Sequence, residues 1–429
     1  MKSRSRSLKR IPVEQLRVGM FVTEFCGSWM DHPFWTTKFK LENPADLETI
    51  RQSAISELWI DTARGLDVEG GDAESMPAES REEADARVER ELHEAVHAAP
   101  TAEARVTLEA EVARAAAICG KARQAVTAMF NEARMGGAID TDQLDPLVEE
   151  ISGSVMRNPG ALISLARLKS QDDYTYMHSV AVCALMVSLA RKLGLDEALT
   201  RQAGLAGLVH DVGKAAVSLD ILNKPGKLTD AEFAHMKSHP VAGHAMLVEG
   251  GTAGDLALDV CLHHHEKMDG TGYPHKLNDS NISLYARMGA VCDVYDAITS
   301  DRPYKAGWDP ATAIRRMNEW SKGHFDPQVF QAFVKTVGIY PVGSLVRLES
   351  GLLAVVTEVD PAKLLTPRVK TLYCTRRRQR THVKDIDLAA GGAPDRIVGW
   401  EDPSQWGFPE LNELWAGEAA VAQQRRGAA

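Results

Sequence analysis

The chain has 429 residues, of which 44% are hydrophobic and 25% charged, and its formal net charge is -10 at pH 7. The length allows roughly two to four domains. The acidic balance excludes broad nucleic-acid binding, which requires a basic face to neutralise phosphates, but it allows a small anionic ligand in a locally basic pocket. The six cysteines form no C-x-x-C pair, which predicts reduced thiols in a cytoplasmic protein. The longest apolar run, residues 180–190, is too short to cross a bilayer, so no membrane span is predicted.

The N-terminal residues 1–68 predict a small α+β domain. Short alternating apolar and polar runs at residues 16–22 are typical of a strand with a turn, and those at residues 58–61 of another strand. Between them, Asp46 follows a proline and precedes an apolar stretch, which is a common helix start.

Residues 69–139 predict a linker followed by helices. The first part is rich in Gly, Ser and acidic residues, and residues 81–134 are dense in Ala, Glu and Arg, which favour exposed helix. Their apolar stripe is thin, which favours a pair of helices, or one long helix that needs a partner, over an independent core. A homodimer through residues 81–134 is a hypothesis, which truncation of this segment would test.

Residues 140–340 predict a bundle of helices, and residues 341–429 a short β-rich appendage with a tail. Residues 180–193 are apolar on all faces, as a central helix should be. After residue 341 the pattern changes to short strands with a turn at Ser350 and Gly351. The predicted fold class is mainly α, a helical bundle flanked by a small α+β domain and a β-rich appendage.

Histidines are concentrated in the predicted bundle. Nine of the fourteen lie between residues 178 and 275. The gaps from His210 to His239, from His239 to His264 and from His265 to Asp293 are 25 to 29 residues, about one helix and its connection. Successive helices can therefore bring ligands to one end of the bundle. The candidate metal ligands are His178, His210, Asp211, His239, His264, His265 and Asp293.

Imidazole and carboxylate without thiolate suit Fe, Mn, Ni, Co or Mg better than a structural zinc. Five histidines and two aspartates exceed what one ion can use, which predicts two ions bridged by an aspartate. Such a pair activates a water molecule and offsets charge on a phosphodiester. Alone, His178 would be interpreted as a buried, hydrogen-bonded core residue. His263 is left outside the set because adjacent helical residues point in different directions, and His235, His244 and His275 are interpreted as surface or supporting groups.

Three cations are candidates for contact with substrate phosphate. Lys214 lies one helical turn after His210, and an exposed lysine is the competing interpretation. Arg302 and Lys305 follow Asp293 closely enough to reach the same mouth, with an interhelical salt bridge as the alternative.

These residues occur in motifs that resemble the HD-GYP family, in order and over roughly residues 150–340. The N-terminal segment also resembles a domain of unknown function often found before such modules, through Gly19-Met20, Ser28-Trp29 and Ile60-Asp61-Thr62. The HD-GYP motifs are His210 to Lys214, Ile221 to Thr229, Met236 to Pro240, His264 to Pro274, and Asp293 with Asp301 to Lys305.

The resemblance implies a cytoplasmic bacterial signalling enzyme that hydrolyses cyclic di-GMP to pGpG, GMP or both, with two divalent ions, iron or manganese. It implies that a bridging hydroxide attacks the phosphodiester, and that Asp211 and Lys214 take part in catalysis. The seven histidines and aspartates would be metal ligands. The residues implied to bind substrate, or to order the loop that does, are Lys214, Asp269, Gly272, Tyr273, Pro274, Arg302 and Lys305.

One position departs from the family pattern. Members with three metals carry a glutamate one turn before the first histidine, where this chain has Tyr174, and this predicts two metals. Two other functions stay open: a low-turnover cyclic di-GMP receptor or docking module for diguanylate cyclases through the Gly-Tyr-Pro loop, and a phosphohydrolase acting on other nucleotides.

Overall fold

The computed structural model describes residues 8–26, 39–51, 55, 57–68, 106–168, 174–224, 226, 228–300, 307–360, 362–390, 395–408, 410–418 and 421. Contacts between Cα atoms divide the chain into two compact units. One comprises Met1–Glu94 and Arg315–Lys322, and the other comprises Ala95–Ile314 and Gly323–Ala429. The predicted domain limits at residues 68, 139 and 340 stay a prediction.

The first unit contains a four-stranded antiparallel sheet with strand order β1-β4-β2-β3 and one helix, α1. Its apolar core includes Leu16, Phe25 and Leu58, each with no exposed surface. The predicted strand with a turn over residues 16–22 corresponds to a turn at Gly19 (φ 98°) followed by a strand that begins at Phe21. The elements are β1 (Leu8–Pro12), β2 (Phe21–Cys26), β3 (Phe39–Lys40), α1 (Pro44–Arg51) and β4 (Glu57–Asp61).

The second unit is built mainly of helices whose ends have local causes. Asp196 caps the helix that leads to His210 by accepting a hydrogen bond from the Leu199 N–H (2.8 Å), and Ser283 caps the helix that carries Asp293. The helices are α2 (Leu108–Arg134), α3 (Asp145–Arg157), α4 (Pro159–Arg167), α5 (Tyr174–Lys192), α6 (Glu197–Val209), α7 (Leu219–Leu222), α8 (Asp230–Met236), α9 (His239–Gly250), α10 (Asp255–His263), α11 (Leu284–Thr299), α12 (Pro310–His324) and α13 (Pro327–Val337).

Helix α5 lies at the centre of this bundle, because its residues 177–190 are all buried and it packs against α2, α4, α6 and α11. Helix α2 turns its apolar side, including Ala122, Val126 and Phe130, onto α3, α4 and α5 of the same chain. Within residues 108–134 the stripe is therefore covered by helices of the same chain, and the homodimer hypothesis stays a prediction. Residues 81–105 lie outside the described part of the chain.

The C-terminal part of the second unit is a five-stranded antiparallel sheet with strand order β8-β7-β6-β5-β9. The predicted turn at Gly351 joins the first two of its strands, and the fold class as a whole is confirmed. A short helix packs against β6. The elements are β5 (Leu345–Leu348), β6 (Leu352–Glu358), β7 (Arg368–Cys374), β8 (Gln379–Asp387), β9 (Ile397–Trp400) and α14 (Leu411–Ala416).

Among the described residues, none of the helices has the length and hydropathy required to span a bilayer. All six cysteines are buried thiols.

Candidate metal centre and substrate loop

The seven side chains predicted as metal ligands come together in the second unit, although they arise from separate helices. All are buried, with exposed fractions from 0% for Asp211 to 7% for His265. His178 lies within α5, His210 and Asp211 follow α6, His239 begins α9, His264 and His265 follow α10, and Asp293 lies within α11.

Asp211 stands at the centre of the cluster and faces two groups of histidines. Its Oδ2 is 3.4 Å from Nε2 of both His178 and His210. Its Oδ1 is 3.2 Å from Nε2 of His239 and 3.8 Å from Nε2 of His264. One carboxylate thus lies between two sets of nitrogen donors.

Asp293 supplies a second carboxylate to the same space. Its Oδ1 is 2.9 Å from Nε2 of His178 and 3.9 Å from Nε2 of His210, and its Oδ2 is 3.7 Å from Nδ1 of His265. Each of the two carboxylates therefore lies close to histidines from more than one helix.

Hydrogen bonds on the outer nitrogens hold four of the imidazoles in place. Nδ1 of His210 contacts the Gly207 carbonyl (2.8 Å), and Nδ1 of His239 contacts the Met236 carbonyl (2.8 Å). The corresponding atom of His264 lies 3.0 Å from the Val260 carbonyl, and that of His178 lies 2.7 Å from Asp296 Oδ2. Each outer contact leaves Nε2 directed inward, the arrangement found at histidine metal sites.

The protonation states of the cluster suit a cation. Burial lowers the pKa of His264 to about 3 and that of His265 well below its ordinary value, so both rings are neutral at pH 7. Burial alone would raise the pKa of Asp211, but Lys214 and the neighbouring histidines hold it well below its usual range. Burial would also lower the pKa of His178, yet its bonds to three aspartates raise it to about 10. A metal ion here would displace that proton.

Several buried polar atoms in the cluster lack a hydrogen-bond partner among the described residues: His210 Nε2, Asp211 Oδ1 and His265 Nε2. An unpaired buried polar atom is costly, and these three belong to groups whose donor atoms lie within 4.8 Å of one another. The groups are Asp211, His239, His264 and His265, and separately His178, His210 and Asp211. The residues present therefore fit divalent cations, and Asp211 belongs to both groups.

Lys214 lies in the short turn of helix Val212–Ala216 that follows the HD pair. Its ammonium donates to Asp211 Oδ2 at 2.5 Å, and 19% of its side chain is exposed. The cation is thus anchored at the cluster while part of it remains accessible to a ligand.

The Gly-Tyr-Pro loop is tied directly to the cluster. The Tyr273 N–H donates to the His265 carbonyl (3.2 Å), and the two rings lie 4.7 Å apart. A Cβ on Gly272 would lie 2.5 Å from the Glu266 Cα, so only glycine permits this approach. Asp269 accepts hydrogen bonds from the N–H and hydroxyl of Thr271, an arrangement that orders the loop.

Sequence reasoning missed two supporting carboxylates. Asp296 holds the outer nitrogen of His178, and its spacing of three residues from Asp293 on α11 was an available signal. Glu266 is 2% exposed and accepts the N–H groups of His275 (2.7 Å) and Leu277 (3.0 Å). It fixes the chain immediately after the Gly-Tyr-Pro turn.

His263, which was not among the predicted ligands, turns away from the cluster and contacts Asp259 (2.8 Å) and His275 (3.0 Å). Arg302 and Lys305, and the side chain of Tyr174, lie outside the described residues.

The cluster lies in a part of the chain that matches a known protein family. Residues 157–329 match the family described as HD domain, and residues 8–144 match a domain of unknown function, DUF3391. The chain is 57% identical over 413 residues to cyclic di-GMP phosphodiesterase PA4108 of Pseudomonas aeruginosa, covering 96% of each chain. It is 39% identical over 189 residues to a cyclic di-GMP phosphodiesterase of Vibrio cholerae, covering 41% of this chain and 38% of that one. It is 36% identical over 172 residues to 3'3'-cGAMP-specific phosphodiesterase 3 of the same species, covering 40% and 37%.

Proposed function

Because the chain belongs to the HD-GYP family of cyclic di-GMP phosphodiesterases, we propose that it hydrolyses cyclic di-GMP at a dinuclear His/Asp site. The products are pGpG, GMP or both in succession. The observation that supports a dinuclear site is the position of Asp211, whose two oxygens face separate groups of histidines. A single carboxylate in that position can bridge two ions.

Two divalent ions, when bound, would lower the pKa of a water molecule and offset negative charge on the phosphate oxygens. The chain's own residues position the reactants. The Lys214 ammonium next to Asp211 would balance the charge of a substrate phosphate. Gly272, Tyr273 and Pro274 would line one side of the approach to the cluster, and Asp269 orders that loop.

In the reaction a water oxygen bonds to phosphorus, the bond to the ribose 3′ oxygen breaks, and that oxygen gains a proton.

We propose iron or manganese as the ions, with His178, His210, His239, His264, His265, Asp211 and Asp293 as the ligands. The donors are imidazole and carboxylate without thiolate, which suits these ions. Purification under anaerobic conditions without chelator, followed by metal analysis, should give close to two ions per chain. A value close to three would refute the two-metal assignment that rests on Tyr174.

The catalytic assignment is tested by His210→Ala and Asp211→Ala, each of which should abolish turnover of cyclic di-GMP. Product identification by chromatography distinguishes pGpG from GMP. Circular dichroism should show retained helix in both variants, and His263→Ala, which alters a histidine outside the cluster, should keep wild-type turnover. Turnover by either cluster variant would contradict the assignment.

A second substrate is favoured by one observation: a relative over the catalytic region is specific for 3'3'-cGAMP. Turnover of cyclic di-GMP, 3'3'-cGAMP and mononucleotide phosphates at equal concentration decides the substrate. Binding of cyclic di-GMP without turnover, in protein loaded with manganese or reduced iron, would instead identify a receptor.

We further propose a cytoplasmic location, and docking of a diguanylate cyclase on the Gly-Tyr-Pro loop. Tyr273 and Pro274 are partly exposed, as a docking surface requires. A pull-down with Tyr273→Ala against wild type tests the docking.

Homodimerisation through residues 81–134 stays a prediction, testable by the mass in solution of a truncated chain.

A further inference from the structure

Lys237 lies beside Tyr273 of the Gly-Tyr-Pro loop and has no role in the mechanism above. Its ammonium stands 4.4 Å from the centre of the Phe233 ring and 5.5 Å from the centre of the Tyr273 ring. Tyr273 in turn lies against the ring of His265. A continuous line of contacts therefore leads from the cluster through Tyr273 and Lys237 to Phe233.

The helix that presents Phe233 and Lys237 is anchored at both ends. At its start, Thr229 and Glu232 form a reciprocal capping box, and Lys224 pairs with the same glutamate (2.6 Å). At its end, the Met236 carbonyl contacts Nδ1 of His239 at 2.8 Å. The backbone that carries Phe233 and Lys237 is thus fixed relative to a candidate metal ligand.

These side chains offer the two contacts that a nucleobase requires. Phe233 and Tyr273 are partly exposed and Lys237 is exposed. The ammonium lies over the Phe233 ring, so a base that stacks on this ring would take its place and move it to the base edge. Aromatic rings stack on any base, and a lysine ammonium donates to the acceptors on a base edge. A cyclic dinucleotide with one phosphate at the cluster must place a base outside it, one ribose away.

We propose that Phe233 and Lys237 form a base subsite that selects guanine over adenine, an inference that rests on the proposed hydrolysis of a cyclic dinucleotide. Guanine presents two acceptors, O6 and N7, to the ammonium. Adenine presents the N6 amino group where guanine has O6, and a donor there opposes the ammonium. The stacking ring supplies affinity, and Lys237 supplies the discrimination.

The test compares Lys237→Met with wild type on three probes: cyclic di-GMP, cyclic di-AMP and bis(p-nitrophenyl) phosphate, which has no base. In the variant, kcat/KM for cyclic di-GMP should fall about tenfold, while hydrolysis of bis(p-nitrophenyl) phosphate should stay unchanged. Inhibition of that hydrolysis by cyclic di-AMP should be no weaker than in wild type. Lys237→Arg should restore the preference, because a guanidinium also donates to O6 and N7.

Control variants separate stacking from charge. Phe233→Leu should weaken binding of both cyclic dinucleotides, whereas Phe233→Trp should preserve it. Lys121→Met removes a lysine that pairs with Glu150 on α3 and should change none of the three probes. Three results for Lys237→Met would each overturn the subsite. The first is an equal loss of affinity for cyclic di-GMP and cyclic di-AMP, and the second is unchanged kinetics with both. The third is loss of bis(p-nitrophenyl) phosphate hydrolysis. A wild-type enzyme that hydrolyses bis(p-nitrophenyl) phosphate but no cyclic dinucleotide would instead contradict the proposed function.

Discussion

The inner nitrogens of the clustered histidines are aimed by what their outer nitrogens contact. For His210 and His239 the partners are carbonyls three residues earlier, at Gly207 and Met236. These carbonyls lie in the last turn of their helices, where they have no partner within the helix. The residue types of the ligands could be predicted from the sequence, but these partners could not, because main-chain carbonyls occur at every position.

His178 differs, since its outer partner is a carboxylate. Asp296 is 3% exposed and its Oδ2 lies 2.7 Å from His178 Nδ1. Such a carboxylate orients the ring and increases its basicity as a ligand. We predict that Asp296→Asn lowers metal affinity by about 10- to 100-fold, measured by competition with a chelator.

Asp259→Asn is a matched control for that experiment. Asp259 makes the same contact with His263 (2.8 Å), a histidine that does not face the cluster. Its loss should leave the metal affinity unchanged. Equal affinities for wild type and Asp296→Asn would show that His178 is oriented without its carboxylate.

At the scale of elements, the folded chain gives two similar helix caps different electrostatics. Asp309 and Asp326 both precede a proline and both cap a helix, accepting N–H groups of the first turn. Burial raises the pKa of Asp309 to about 7 despite those bonds. Burial would raise the pKa of Asp326 as well, but bonds from the Val329 N–H and Arg287 hold it below its usual value. Only the folded chain brings Arg287 within 2.6 Å of Asp326.

This contrast predicts that two similar substitutions change the pH dependence of the free energy of unfolding in different ways. Between pH 4 and about 7, Asp309 keeps its proton in the folded state while the unfolded chain loses it. The free energy of unfolding should therefore fall as the pH rises, by at most about 1.4 kcal/mol per unit and less where water screens the carboxyl. Asp309→Asn should remove this slope, measured by urea unfolding at pH 5, 6 and 7.

Asp326→Asn serves as the comparison, because an aspartate with a lowered pKa is ionised in both states throughout that range. Its substitution should cost a constant amount of stability from pH 5 to 7. Parallel pH profiles for wild type and Asp309→Asn would contradict the raised pKa of Asp309.

At the scale of the whole molecule, the three gaps of 25 to 29 residues between candidate ligands from His210 to Asp293 predicted that separate helices supply them. The structure has this arrangement, from α6 to α11. The placement of α2 could not be predicted in the same way. Its apolar residues define a stripe, but periodicity does not say whether another helix of the same chain or a second chain covers it. In the described residues, α3, α4 and α5 cover it.

Because the proposed ligands lie in or next to five helices that are distant in sequence, bound metal should stabilise the helical unit as a whole. The apparent free energy of unfolding should rise by about 2.7 kcal/mol when the free metal concentration is 100 times its Kd. We predict that chelation lowers the midpoint of thermal unfolding and that manganese or reduced iron restores it. Calcium should restore little, because it prefers oxygen donors and this site is rich in imidazole. The Asp211→Asn variant should lose most of the metal-dependent shift, since Asp211 faces both groups of histidines. An unfolding midpoint that is the same with chelator and with manganese would show that the cluster holds no ion that links these helices.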